Sequence, residues 1–318
     1  MNNDIITYMK IYNNLIDVQS IEPTIVALGF FDGIHKGHRE LISRCISSAN
    51  NFNLKSAVFT FQEHPKNVMS GTNVVKRLLT PEDKIKVLSE LNIDYLFNLP
   101  FEDGFHEMFP EAFAKTLLSE AFNARGVFCG YNFRFGKDTL GNTSTLIDLG
   151  IENGFSVNII EPIEFEFAPV SSSRIRQMIT SGSVDTASEM LGQRYILYGT
   201  VIEGNKLGRT LGFPTVNMRF DNQMVKPAYG VYVTETTVDG VKYHSVSNVG
   251  TKPTVGGKEL LIESHLFNFN EDAYGKDISV EFIEMLRTEK KFDSFEALKT
   301  QIAIDKDTAA KYFESLTS

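Results

Sequence analysis

The sequence predicts an α/β plus β protein. A Rossmann-like, doubly wound parallel sheet is expected over residues 1–183, and a small antiparallel β-barrel with a C-terminal helix over residues 184–318. Three observations lead there. Short apolar runs alternate with segments of helical spacing through the first part of the chain, the pattern of strands joined by helical crossovers. From Tyr195 onward several strand-like segments follow one another with turn signals and no helical spacing between them. The last stretch, Asp293 to Leu316, returns to helical spacing.

With 318 residues and 42% hydrophobic content the chain has material for two cores. Its net charge of −9 and the absence of any Lys/Arg-rich run argue against a nucleic-acid scaffold. An acidic chain that handles phosphorylated ligands must gather its positive groups locally. The two cysteines, Cys45 and Cys129, sit in unrelated settings, which points to a reducing compartment and away from a disulfide framework or zinc site. Met1 to Lys10 lacks the basic-then-apolar pattern of a signal peptide, and no apolar run approaches the roughly 20 residues of a membrane span. The expectation is a soluble cytoplasmic protein, a monomer or weak homo-oligomer, with no nucleic acid or membrane as partner.

Taken in order, Ile25 to Leu28 reads as a buried strand, broken by Gly29 and Gly33. Helical spacing starts near His35, with Leu41, Ile42, Cys45 and Ile46 on one face. Ser56 to Phe61 is a second strand. Thr80 caps a helix with Pro81 in its first position. Ile93 to Phe97, Gly126 to Gly130 and Ser156 to Ile160 are further strands, and Pro110 to Phe122 an amphipathic helix. In such a sheet ligands bind beyond the strands' C-terminal ends. Those ends hold Gly29 to His38, Phe61 to Pro65, Gly130 to Gly136 and Val170 to Arg176, all polar or glycine-rich, so a single cleft is expected. A short helix from Val184 to Leu191 ends at Gly192, and the domain boundary falls near 183–194. Barrel strands are read at Tyr195 to Val201, Gly230 to Thr236, Val241 to Val249 and Leu260 to Phe267, with Asp239-Gly240 as a hairpin turn. Phe295, Leu298 and Ile302 form the stripe by which the last helix is expected to pack on the barrel.

The chemistry concentrates in a few places. Strand, glycine turn and helix start at Gly29-Phe30-Phe31-Asp32-Gly33-Ile34-His35-Lys36-Gly37-His38 make a phosphate site. Gly37 lets a ligand approach the backbone, and His35 and His38 fall on one face as donors to phosphate oxygens. Asn132 and Arg134 alternate with Phe133 and Phe135, offering rings to a planar ligand and polar groups to its edge; two core phenylalanines anchoring a loop would look the same. Ser171, Ser172 and Ser173 with Arg176 suit a phosphate, or an ordinary serine cap. In the second half Gly204, Gly208 and Gly212, spaced by four, with Lys206 and Arg209, suit a polyphosphate wrap. Beyond Pro214, Thr215 and Asn217 point to one side, two neutral oxygen ligands suited to Mg²⁺ on nucleotide phosphates; a plain barrel loop is the alternative. Glu263, in an apolar strand, is a candidate general base on an alcohol or an outward-facing strand glutamate. His244 and His265 read as ordinary strand residues.

These residues resemble, in matching order over nearly the whole chain, the prokaryotic bifunctional riboflavin kinase/FMN adenylyltransferase (FAD synthetase) family. Gly29 to His38 matches its G-x-F-D-G-x-H-x-G-H, Gly130 to Gly136 its G-x-[DN]-F-x-F-G, and Ser172 to Arg176 its S-[ST]-x-x-I-R. Further on, Gly208-Arg209 with Gly212 to Asn217, Pro227 to Tyr232, Asn248 to Thr254, Glu263 to Leu266, and Arg287 with Phe292 match the kinase half. The resemblance implies a nucleotidyltransferase domain and a kinase barrel. The barrel would phosphorylate riboflavin with Mg·ATP, using Glu263 as base and Thr215 and Asn217 at the metal. The first domain would adenylylate FMN to FAD, with His35, His38, Arg176 and the serines stabilising the triphosphate. Gly29, Phe31, Asp32 and Gly37 would belong to the nucleotide site, and Asn132, Phe133, Phe135 and Arg287 to the flavin. Phe30 stands where the family often has asparagine and Glu63 where it commonly has proline; a carboxylate there would oppose a triphosphate if it points inward. The competing readings are a one-activity enzyme, a flavin-binding regulator without turnover, and an unrelated histidine-pair transferase, which would leave the barrel unexplained.

Overall fold

In the computed structural model, which describes residues 9–101, 104–204, 207–254 and 257–316, the chain divides into two compact units, Met1–Ser171 and Ser172–Ser318. The side chains of residues 207, 209, 252–254 and 257–259 lie outside the description.

The first unit is built on a six-stranded parallel sheet. Its strands are β1 (Lys10–Tyr12), β2 (Thr24–Leu28), β3 (Lys55–Phe61), β4 (Tyr95–Leu99), β5 (Ala124–Gly130) and β6 (Ser156–Ile160), ordered β1-β4-β3-β2-β5-β6. All five residues of β2 are buried, as a central parallel strand covered on both faces requires. Helices α1 (Lys36–Phe52), α2 (Pro65–Ser70), α3 (Pro81–Ser89), α4 (Pro110–Ala112, continuing as a wider π-type coil over Phe113–Ala121) and α5 (Thr143–Asn153) make the crossovers. Helix α1 buries Leu41, Ile42, Cys45 and Ala49, so the inward stripe runs through Ala49 where Ile46 was expected. Thr80 caps α3 as its sequence predicts, accepting a hydrogen bond from the Asp83 N–H at 3.1 Å. Successive strands run to one side of β2 as far as β4, then the chain crosses to β5 on the other side. This reversal of strand order is where a doubly wound sheet opens a crevice. A two-stranded ribbon, β7 (Glu164–Phe165) with β8 (Ala168–Pro169), follows the sheet.

The second unit opens with α6 (Ser172–Ser181) and α7 (Val184–Leu191), the latter capped by left-handed Gly192. A closed barrel follows, of β9 (Tyr195–Ile202), β10 (Val216–Phe220), β11 (Gly230–Val238), β12 (Val241–Thr254), β13 (Gly257–Leu266) and β14 (Asp277–Thr288). The five-residue helix α8 (Leu207–Leu211) precedes β10, and α9 (Phe295–Ser315) ends the chain. The hairpin at Asp239-Gly240 has positive φ at both residues, as a type I′ turn needs. Two strands lie beyond the sequence expectation. β10 is short and follows a glycine/proline loop; β14 shows a period of two in Ile278, Val280 and Phe282, a signal that would have found it.

The inner face of the barrel holds a chain of buried hydroxyls, running Thr236–Ser245–Thr234–Ser247–Ser264 with links of 2.6–2.9 Å. Each hydroxyl donates and accepts, so five polar side chains are buried without an unmet donor. Helix α9 lies on the outer face and packs Ala309 and Phe313 against Val231, Val233, Val246 and Ile283. The expected stripe is corrected here: Phe295 is exposed, and the buried positions are Asp305, Ala309 and Phe313, farther along the helix. Arg287 fixes that placement with a two-nitrogen grip on the buried Asp305 (2.8–3.1 Å). Asp305→Ala leaves the Arg287 guanidinium without its partner in a mostly buried position. It is expected to lower stability by about 2–3 kcal/mol, read by denaturant unfolding of the full chain.

Candidate active sites

In the first unit the site is the turn between β2 and α1. Phe31, Gly33 and Ile34 all have left-handed backbone (φ 54, 81 and 40°). For two side-chain-bearing residues this is strained, and only tight packing holds it. Both Phe31 and Ile34 are fully buried. The ring of Phe31 folds back over Gly29, where a Cβ would stand 2.9 Å from it, and its other side meets His38 edge-on at 5.1 Å. Glycine at position 29 is therefore a packing requirement. His35 caps α1: its Nδ1 accepts from the His38 N–H at 3.3 Å, so in the neutral ring the proton sits on Nε2, free to donate. The two imidazoles stack, centroids 3.6 Å apart and 16° from parallel. Burial, reinforced by His35 and Lys84, holds His38 well below the ordinary histidine value. Its buried Nδ1 has no hydrogen-bond partner among the described residues.

The floor beside this turn is the end of β3. Asp32 is buried and accepts from the N–H groups of Leu78 and Leu79 (3.0–3.3 Å), so its carboxylate tethers the turn. Phe31 and Asp32 therefore have side chains committed to the fold, and a nucleotide contact at either is a backbone contact. Lys84 on α3 is also buried. Its ammonium donates to the Phe61 carbonyl (2.8 Å) and the Thr60 hydroxyl (3.3 Å) and lies 4.6 Å from the centroid of the Phe30 ring. Glu63 turns to Arg77 at 3.0 Å and is exposed. The negative charge expected there is thus matched by a cation.

Register places Leu28 opposite Cys129, which sets the glycine turn beside the loop after β5. In that loop Phe135 is core: it is buried, and its N–H and C=O both bond to Gly141. Phe133 stacks on it at 5.8 Å and keeps a partly open face, so one ring rather than two remains for a planar ligand. Asn132 is exposed beside it. Ser171 closes the first unit; Ser172, Ser173 and Arg176 stand on the first turns of α6, at the start of the second.

In the barrel, antiparallel register sets Glu263 on β13 directly opposite Asn217 on β10 and Asn248 on β12. Opposed residues share a face. The buried Ser264 and Ser247 belong to the inner face, so Glu263, Asn217 and Asn248 are together on the outer one. The glycines before them serve close approach rather than an extended wrap. A Cβ on Gly204 would stand 2.4 Å from Asn217 Nδ2, and one on Gly208 3.2 Å from Thr215 Oγ1 and 2.4 Å from the Phe213 carbonyl. Gly208 lies within α8, and left-handed Gly212 follows that helix. Lys206 and the side chain of Arg209 lie outside the described residues. His265 is more than an ordinary strand residue: its ring bonds the Pro214 carbonyl at 2.8 Å and so holds the end of the glycine loop. A cavity of about 410 Å³ opens beside Thr215, lined also by Ser264, Phe269 and Asp272. Arg287 departs from the flavin reading, because all three of its guanidinium nitrogens are engaged with Asp305 or the Thr288 carbonyl. Lys84, Thr60 and His265 were missed in the sequence. Only the Lys84/Leu88 spacing, which puts a lysine on a buried helix face, hinted at one of them.

A doubly wound sheet with a histidine pair at its first crossover, joined to a barrel bearing a carboxylate among neutral oxygens, defines a two-domain phosphate-handling transferase. The FAD synthetase family model matches residues 17–174 and the riboflavin kinase model residues 191–313. The chain belongs to the bifunctional riboflavin kinase/FMN adenylyltransferase family. It is 35% identical to the Bacillus subtilis member over 92% of this chain and 93% of that one. The Haemophilus influenzae member is also 35% identical, over 91% and 94%. A Streptococcus pneumoniae crystal structure titled as a macrolide-efflux protein superposes with a TM-score of 0.85 at 32% identity, covering 95% of this chain and 99% of that one. Among the described residues of the present chain no helix is long and apolar enough to cross a membrane.

Gly29→Ala drives a methyl group into the Phe31 ring and through it displaces His38. FAD formation from FMN is expected to fall at least tenfold, with FMN formation by the same preparation unchanged; about tenfold is the scale of a displacement of well under 1 Å.

Proposed function

We propose that residues 184–318 phosphorylate riboflavin to FMN and residues 1–183 adenylylate FMN to FAD, each with its own ATP. The observation that supports it best is that one chain holds two separate phosphate-handling sites: the stacked His35–His38 pair capping α1, and the Asn217–Glu263–Asn248 row beside Gly204 and Gly208. In the barrel Glu263 takes the proton of the ribityl 5′-hydroxyl as that oxygen attacks the γ-phosphorus of ATP, and ADP leaves. Thr215 and Asn217 would hold Mg²⁺. The donors fit, being hard oxygens next to a carboxylate, with glycines at 204 and 208 leaving their side chains room. Bound there, the metal would supply charge neutralisation on the phosphates of ATP.

In the first unit an FMN phosphate oxygen attacks the α-phosphorus of a second ATP and pyrophosphate leaves. His35 and His38 donate N–H groups to the charge that develops, helped by Arg176 and Ser171 to Ser173, with the backbone at Gly29 and Gly37 close to the phosphates. Phe133 and Asn132 meet the flavin; Phe135 supports Phe133 from beneath. Lys206, Gly208, Arg209 and Gly212 serve the kinase nucleotide. The partners are small molecules only, and the protein works in the cytoplasm as a monomer or weak homo-oligomer.

Chromatography of riboflavin, ATP and Mg²⁺ incubated with the protein tests this: FMN should accumulate first, then FAD, and unconverted riboflavin refutes the proposal. Glu263→Gln should lower FMN formation by about 100-fold or more while still turning supplied FMN into FAD. His38→Ala should do the reverse, lowering FAD formation about 100-fold with FMN formation intact. If each variant, still folded, loses both activities, the division of labour is wrong.

A further inference from the structure

A lysine ammonium is seldom left in a protein interior, because burial disfavours its charge. Lys84 is 6% exposed, and what it touches is the phosphate site's own scaffold. One N–H goes to the Phe61 carbonyl at the C-terminal end of β3, and another to the Thr60 hydroxyl. Thr60 in turn donates to the Phe30 carbonyl at 2.8 Å, within the turn that leads to His35. Above the ammonium lies the Phe30 ring, whose own edge contact at 4.7 Å is His64, the cap of α2. The charged neighbours are Asp32 on the turn, which favours the ammonium, and Arg77, which opposes it while paired with Glu63; His38 on α1 feels its charge. Three elements that end at the cleft thus converge on one buried cation, to which none of the motifs contributes.

We propose that Lys84 is a positioning residue for adenylyl transfer, its charged form tying the β2–α1 turn to the end of β3 and lending the cleft a fixed positive potential. The proposal rests on assigning that reaction to the first unit. It explains how a chain of net charge −9 keeps a triphosphate site attractive with few exposed cations around the turn. It also gives Phe30 a task, since its ring takes up the side of the ammonium that hydrogen bonds leave.

The pH dependence follows with a definite sign. Burial lowers Lys84 from the ordinary 10.5 to about 8. Above about 8 the folded protein loses this charge, and FAD formation should fall. Over the same interval the unfolded chain still binds the proton, so this group makes stability rise with pH up to about 10.5. Opposite trends in activity and stability are what a merely structural lysine would not produce.

The experiment measures kcat and KM for FAD formation from pH 6.5 to 10 in wild type, Lys84→Met and Lys84→Arg, with FMN formation by the same samples as internal control. Lys84→Met should lower kcat for FAD formation about tenfold or more, leave KM for ATP within about threefold, and keep or raise Tm, because a buried charge has been removed. Lys84→Arg should recover most of the neutral-pH kcat and lose the alkaline fall seen in wild type. Wild-type kcat in Lys84→Met, or an unchanged alkaline fall in Lys84→Arg, overturns the proposal. Should Lys84→Met fail to fold, the alkaline limb of Lys84→Arg decides alone. Wild-type protein that makes FMN but no FAD would instead remove the functional reading beneath it.

Discussion

The strained turn after β2 is the constraint on which the first unit depends. Two non-glycine residues, Phe31 and Ile34, hold left-handed backbone that costs on the order of 1–3 kcal/mol each, and packing must overcome that cost. Complete burial of both side chains does so. The same packing event places chemistry: the ring that stabilises the turn presses on His38, and the turn delivers His35 to the cap of α1. Stability and site geometry are here one interaction, which is why Gly29, far from any charge, has no room for a side chain.

The barrel separates the two tasks by face. Its interior satisfies its own hydroxyls in a closed chain and takes no part in binding beyond Ser264, which borders the cavity beside Thr215. The outer face carries the reactive row, and the strand period of two keeps the faces apart: Ser264 points in, Glu263 out. Helix α9 covers the neighbouring part of that outer face, fixed by Arg287 and Asp305, so the row is bordered by a rigid element.

Electrostatics in the first unit are arranged by burial more than by number. His38 is kept neutral, Asp32 is spent on backbone N–H groups, and Glu63 is answered by Arg77. The two departures from the family pattern, Phe30 and Glu63, both fit: one lies over Lys84, the other pairs at the surface.

Much of this was legible in the chain because it is local. The order of strands and helices in the first unit, the Thr80 cap, the Gly192 stop and the Asp239-Gly240 turn follow from spacing and from residues with narrow backbone preferences, which act over a few positions. The histidine pair and the Thr215/Asn217/Glu263 set were visible as motifs for the same reason. What could not be read is whatever needs partners distant in sequence. Phe135 and Phe133 look alike until Gly141 pairs with the first and buries it. Arg287 reads as a ligand residue until Asp305 arrives from a helix 18 positions later. Lys84 sits on a helix with no motif, and its meaning comes from β3 and the β2–α1 turn, 23 or more residues away, which only long-range packing brings to its ammonium. Local rules determine which elements form; which side chains are sealed in, and against what, is settled when distant segments exclude water together.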